Sequence, residues 1–198
     1  MDQVLEEDAC IVSELDARDS YYWMNFAKGK KTLIGQTTGF ALGWGVGAAL
    51  GVKIARPDSQ VVCLVGDGTM MFGQLESLWS YSRYDVPVII VVYNNRGYDG
   101  PRGRMLNLTK RPPENNKDIA CYLGDPNVDF VGIANSFGIK GEVISKPSDI
   151  KPAMKRAIKA TKDGRPYLID AILAQRGTGA GTNWHPDISI AAERTRLI

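Results

Sequence analysis

The chain has 198 residues, 44% hydrophobic and 23% charged, with a net charge of +2. That is the make-up of one ordinary globular domain with enough apolar material for a core, and it is too weakly basic for a nucleic-acid binder. No apolar stretch approaches the roughly 18 residues of a membrane span, and the acidic opening over 1–8 does not read as a signal peptide.

Short apolar runs alternate with helical patterns, the signature of a central, mostly parallel sheet covered by helices, an α/β fold of three layers, α/β/α. Cys10-Ile11-Val12 reads as the first strand and Thr32-Leu33-Ile34 as a short second one. Gly43 to Ile54 reads as a helix whose small residues permit close packing, ended by Arg56-Pro57-Asp58. Val61 to Val65 is an unbroken apolar run, a strand buried on both faces. A helix is predicted over Gly73 to Tyr84, with Leu75, Leu78 and Trp79 on one face, and then a second buried strand over Val86 to Tyr93. Residues 97–127 show no period and are rich in Pro, Gly, Arg and Asn, which suggests a functional loop. Beyond it come a helix over Val128 to Phe137, a strand over Ile139 to Ile144 and a helix running to Lys162. That last helix has Ser148 as its cap, Ile150, Met154, Ala157 and Ile158 facing inward, and Gly164 as its stop. The final strand is Tyr167 to Leu173, followed by a Gly-rich, polar tail over 174–198.

Cys10 and Cys63 lie in apolar runs, and Cys121 in a polar loop. None forms a C-x-x-C pair, so neither zinc nor an iron–sulfur cluster is expected. An odd number of thiols, two of them in buried strands, fits a reducing cytoplasm.

The chemistry gathers at two strand ends. Gly66-Asp67-Gly68 closes the first buried strand and Asn94-Asn95 closes the second. A right-handed βαβ unit makes these strands parallel, with both carboxyl ends on the edge where open α/β sheets bind ligands. Asp67 offers a charged oxygen, an Asn side chain a neutral one, and a loop carbonyl near Gly97 a third, a set of hard donors suited to Mg²⁺. Gly68 and Thr69 offer backbone N–H groups to a diphosphate.

The whole pattern resembles the thiamine diphosphate (ThDP) enzymes. It is similar to the diphosphate-binding (PP) domain of the group with acetolactate synthase, the 2-oxoacid decarboxylases and 2-hydroxyacyl-CoA lyase. The match is G-D-G and N-N with 25 residues between Gly68 and Asn94, extended by Thr69, Gln74-Leu75-Glu76 and Gly97-Tyr98. The resemblance covers about residues 9–175 and implies a single PP domain over 1–198. It implies Mg²⁺ ligands Asp67, Asn95 and the Gly97 carbonyl, with Asn94 as the competing side chain. It implies cofactor contacts at Gly66, Gly68, Thr69 and Tyr98. A second block, Thr37 to Gly45, is similar to the family stretch that bends the cofactor. There Leu42 would be the wedge under it, Gly39 would belong to the same turn, and the Phe40 carbonyl would accept from the 4′-amino group.

The family's activating glutamate lies on a pyrimidine-binding (PYR) domain, and nothing here resembles one. The expectation is a split subunit, which Met1 and the coherent tail favour over a fragment. It would work with a PYR-domain chain in a hetero-oligomer, two copies of each. The implied reaction cleaves or forms a C–C bond next to a carbonyl, on a small 2-oxo acid or an acyl-CoA. Acyl-CoA lyase is the second choice, and a 2-oxoacid:ferredoxin oxidoreductase β subunit or a non-catalytic ThDP-binding subunit follow. Arg102, Trp184 and His185, the single histidine, are candidates for the substrate pocket. Arg104 is a weaker anion contact, and Asp99 stands where decarboxylase relatives carry a proton-handling glutamate. Glu76 reads as a helix-side residue rather than a catalytic acid.

Overall fold

A computed structural model describes residues 1–15, 31–35, 41–73, 75–102 and 121–173. The chain divides into two compact units, Met1–Asn94 with Asp129–Ile172, and Asn95–Val128 with Leu173–Ile198. The first unit holds a sheet of six strands, β1 (Cys10–Ser13), β2 (Thr32–Ile34), β3 (Val61–Gly66), β4 (Ile89–Asn94), β5 (Lys140–Ile144) and β6 (Tyr167–Ile172). Their order is β2-β1-β3-β4-β6-β5 and every neighbouring pair is parallel. An all-parallel sheet needs cover on both faces, and the sequence supplies it with unbroken apolar runs in β1, β3 and β4. The expected three-layer α/β/α class is what this unit adopts.

Helix α1 (Gly45–Ala55) lies against β1 and β3 through Val46 and Ala49, both buried. Helix α2 (Asp67–Phe72) leaves β3 directly, and α3 (Ser77–Arg83) follows it. Helix α4 (Phe130–Ser136) packs on β5 and β6. Its N-cap Asp129 accepts the Gly132 N–H at 2.7 Å. Helix α5 (Pro147–Lys162) covers β4, β5 and β6 with Ala153, Met154 and Ala157. They join a core of Ile11, Val62, Leu64, Ile89, Val91 and Ile169. Strand alternation sends Cys63, Val65, Ile90, Val92 and Leu168 to the opposite layer. Among the described residues no helix is long and apolar enough to cross a membrane.

Local departures from the sequence reading have identifiable causes. The helix predicted over Gly73 to Tyr84 is shorter, α3 alone over Ser77–Arg83, and a separate helix, α2, begins at Asp67 inside the apparent turn and stops at Gly73. With α3 starting at Ser77, its inward face is Leu78 and Tyr81, both fully buried, and Trp79 is left 52% exposed. Ser148 does not cap α5. Pro147, whose ring presets a helical φ, opens the helix one residue earlier with Lys146 at the cap, and the Ser148 hydroxyl donates to Asp149 Oδ1 at 3.2 Å. Ile150 is exposed, while Met154 and Ala157 face inward as expected. Gly164 ends α5 with φ +77°. Cys121 is buried, not merely a polar-loop residue.

One charged side chain enters the sheet interior. Asp170 of β6 is 3% exposed, and its Oδ2 accepts from Nδ2 of Asn94 on β4 at 3.3 Å. Burial raises its carboxyl to about 6, against the Asn94 hydrogen bond and with some help from the Asp129 charge. A raised folded pKa means that the stability this group contributes is full below about pH 4 and is lost as pH rises through about 6. Asp170→Asn removes that loss. Urea melts of the metal-free chain at about pH 4, 5, 6 and 7 will show the variant gaining on the wild type as pH rises. The expected gain is on the order of 1–2 kcal/mol, and a pH-independent difference would refute the assignment.

Candidate functional site

Within the first unit, β2 lies to one side of β1 and β3 to the other. The strand order therefore reverses between β1 and β3, the kind of position at whose carboxyl-end edge open α/β sheets bind ligands. Asp67 leaves β3 at this point as the first residue of α2. It is 3% exposed, and its Oδ1 accepts the Gly68 N–H at 2.9 Å. Gly66, the extended N-cap, precedes it, and Thr69 follows, also buried. Asn94 ends β4, the next strand, and is held by Asp170.

Leu42, half-buried, precedes Gly43, whose φ of +92° suits glycine alone. A Cβ on Gly43 would stand 3.5 Å from the Gly73 nitrogen, so the Leu42 turn lies beside the end of α2. Leu42, Gly66, Asp67, Gly68 and Thr69 thus belong to one edge of one unit.

Sequence reading missed two buried carboxylates on this unit. Asp170 anchors Asn94, as described. Glu14, just beyond β1, is 2% exposed, and it accepts the backbone N–H groups of Gly43 and Gly45 through its two oxygens. Burial raises its carboxyl above the ordinary range, while the N–H groups of Gly45, Gly43 and Trp44 pull it back. The available signal was an acidic residue at the end of an apolar run, Cys10-Ile11-Val12-Ser13-Glu14, which matches Asp67 in placement.

The second unit carries the turn after β4. Asn95 Oδ1 accepts the Gly97 N–H at 3.0 Å, and its Nδ2 donates to Asp99 Oδ2 at 2.9 Å. Arg96 takes the left-handed conformation at φ 60°. Gly97 bridges to Tyr122, and a Cβ there would meet the Cys121 carbonyl oxygen at 2.9 Å. Tyr98 N–H donates to that same carbonyl at 2.8 Å, and Leu123 N–H to the Arg96 carbonyl at 2.8 Å. The backbone of Arg96, Gly97 and Tyr98 is thereby fixed. Asp99 is bound to Asn95, which places it in the turn's own scaffold. Arg102 is buried, with its N–H on the Tyr98 carbonyl at 3.0 Å.

Glu76 is an exposed residue at the start of α3. Gly39, Phe40, Arg104, Trp184 and His185 lie outside the described residues, as do most of the 97–127 loop and the tail beyond 173. Among the described residues no three His, Cys, Asp or Glu side chains gather into a metal cluster. The candidate donors are one carboxylate with amide and backbone oxygens.

Residues 19–171 match the family described as thiamine pyrophosphate enzyme, C-terminal TPP binding domain. A probable acetolactate synthase large subunit of Methanococcus aeolicus is 37% identical over 131 residues, 65% of this chain and 20% of that protein. A benzoylformate decarboxylase of Pseudomonas aeruginosa is 26% identical over 170 residues, 86% of this chain and 30% of that protein. Among solved structures, a thiamine diphosphate-dependent 4-hydroxybenzoylformate decarboxylase of Rhodococcus jostii superposes with a TM-score of 0.73 at 29% identity, covering 88% of this chain and 31% of that one. The chain thus spans about a fifth to a third of the length of the relatives it matches. With a family match over most of its length and the G-D-G turn at the reversal point of a parallel sheet, the chain belongs to the C-terminal TPP-binding domain family of thiamine pyrophosphate enzymes.

Proposed function

We propose that the chain is the diphosphate-binding half of a ThDP- and Mg²⁺-dependent enzyme that cleaves or forms a C–C bond next to a carbonyl. The observation that carries this reading is Asp67, a carboxylate 3% exposed at the carboxyl end of β3, where the sheet reverses direction. A carboxylate withdrawn from water at a ligand-binding edge calls for a cation, and its hard oxygen suits Mg²⁺. Gly66, Gly68 and Thr69 beside it would hold the diphosphate through backbone N–H groups, with Tyr98 completing the contacts.

Mg²⁺ would be held by Asp67, the Asn95 side-chain carbonyl and the Gly97 backbone carbonyl. Asn94, whose Nδ2 donates to Asp170, is the competing side chain. Each of the two carbonyls accepts one N–H within its turn, Asn95 from Gly97 and Gly97 from Asp99. The cofactor, when bound, supplies the electron sink for bond breaking beside a carbonyl. Leu42 would press the bent cofactor from below, and Gly39 and the Phe40 carbonyl would orient its aminopyrimidine. Arg102, Trp184 and His185 would meet a substrate carboxylate or a CoA phosphate.

The activating glutamate would come from a PYR domain, so this part alone would be inactive. A PYR-bearing partner chain in a hetero-oligomer, in the cytoplasm, is the arrangement we favour. The acetolactate synthase and benzoylformate decarboxylase relatives support synthase or decarboxylase chemistry. A 2-hydroxyacyl-CoA lyase 1 of Mus musculus, 28% identical over 75% of this chain, supports lyase chemistry as the second reading.

Two substitutions test this. Asp67→Ala, with a PYR domain present, is expected to weaken Mg²⁺-dependent ThDP binding at least about 100-fold, or roughly 3 kcal/mol; unchanged affinity by calorimetry would remove the metal assignment. Leu42→Ala is expected to leave ThDP affinity within about threefold yet slow exchange of the cofactor's C2 proton about tenfold or more. Proton NMR of bound cofactor in D₂O reads that rate, and equal rates would end the wedge role.

A further inference from the structure

Asp170 breaks the rule that governs its sheet. Strands of an all-parallel sheet are apolar because both faces are covered, and β6 obeys this on one face, where Ile169 joins the core under α5. On the other face it carries a buried carboxylate, two residues after the fully buried Leu168 and directly across from the fully buried Val92 of β4. Oδ2 of Asp170 accepts from Asn94 Nδ2, and Oδ1 has no hydrogen-bond partner among the described residues. One neutral amide does not offset the loss of water around a carboxylate. A valine at this position would serve the sheet better.

What the carboxylate secures is Asn94. Asp170 is paired with Val92 and Asn94 with Ile172, so the hydrogen bond runs diagonally to the last residue of β4. The ladder between β3 and β4 has already ended there: its final pair is Gly66 and Tyr93, one residue before Asp67 and Asn94. β3 turns into α2, while β4 runs on for one more residue against β6. An ionised carboxylate only accepts, so it selects Nδ2 of Asn94 and turns the amide oxygen away from itself. An apolar residue at position 170 would impose no such direction.

We infer that Asp170 is a positioning residue for the cation site: by holding Asn94 it fixes the end of β4, next to the strand end that carries Asp67, without touching the cation. The inference rests on the ThDP and Mg²⁺ reading above, and it holds for either asparagine as ligand. If Asn94 ligates, Asp170 sets its amide. If Asn95 ligates, Asp170 holds the residue to which it is joined.

The test uses the chain with a PYR domain present, and begins with calorimetry of the wild type against ThDP and Mg²⁺. No Mg²⁺-dependent binding there overturns the ThDP reading itself, and with it this inference. With binding established, Asp170→Val is expected to leave the urea midpoint at neutral pH unchanged or higher, because a buried charge gives way to an apolar strand former. It should nonetheless weaken Mg²⁺-dependent ThDP binding about tenfold, the worth of one lost hydrogen bond. Asp170→Asn keeps an oxygen for the Asn94 amide and should bind within about threefold of the wild type. Amide hydrogen exchange at Asn94 and Asn95 should rise about tenfold in Asp170→Val, with β1 and β3 unchanged. Added to Asn94→Ala, Asp170→Val should weaken binding no further, because both remove the same hydrogen bond. Asp170→Ala takes the place of the valine variant if that one does not fold. Wild-type affinity in whichever apolar variant folds, an Asp170→Asn chain that binds as weakly as that variant, or losses at Asp170 and Asn94 that simply add would overturn the inference.

Discussion

All six strands of the first unit point the same way, and the rest of the arrangement depends on that. A parallel sheet must be covered on both faces, so its strands are apolar and its polar groups are pushed to the ends. The crossovers bring every carboxyl end to one edge. Glu14, Asp67 and Asn94 therefore exit the sheet together although they are separated by dozens of residues. The strand order reverses between β1 and β3. A buried carboxylate follows each of these strands, Glu14 bonded to the backbone N–H groups of Gly43 and Gly45 and Asp67 to that of Gly68.

Polar groups inside such a sheet must be matched. Asp170 and Asn94 sit on the same face of neighbouring strands, and their hydrogen bond sets the direction of the Asn94 amide just before the chain enters the Asn95 to Asp99 turn. The glycines of the 43–51 stretch divide in the same spirit. Gly43 and Gly45 are required by a left-handed turn and a close-lying carboxylate, while Gly51 faces open space and answers no such demand.

The sequence is legible where one physical rule dominates. Continuous apolar runs located β1, β3, β4 and β6 within a few residues, because nothing competes with burial on both faces. The Asp67 and Asn94-Asn95 ends follow from the same runs. Helix boundaries were less legible: at Asp67 the G-D-G turn signal hides a helix start, and at Pro147 ring geometry outranks the capping tendency of Ser148. Trp79 shows the limit of periodicity, since the helix begins at Ser77 and the indole faces outward. Glu14 and Asp170 were illegible for a different reason. Each depends on a hydrogen-bonding partner far away in sequence, Gly43 and Gly45 for one and Asn94 for the other, and no local spacing encodes such a pair.

The thiols have a consequence of another kind. Cys10, Cys63 and Cys121 are all buried and none is in a disulfide, and burial together with the nearby Glu14 charge drives the Cys63 thiol far above its usual range. A sulfur in that state is neither a nucleophile nor an easy target for peroxide while the chain is folded. It becomes both once β3 is exposed. Alkylation of Cys63 therefore keeps time for the opening of the strand that leads into Asp67.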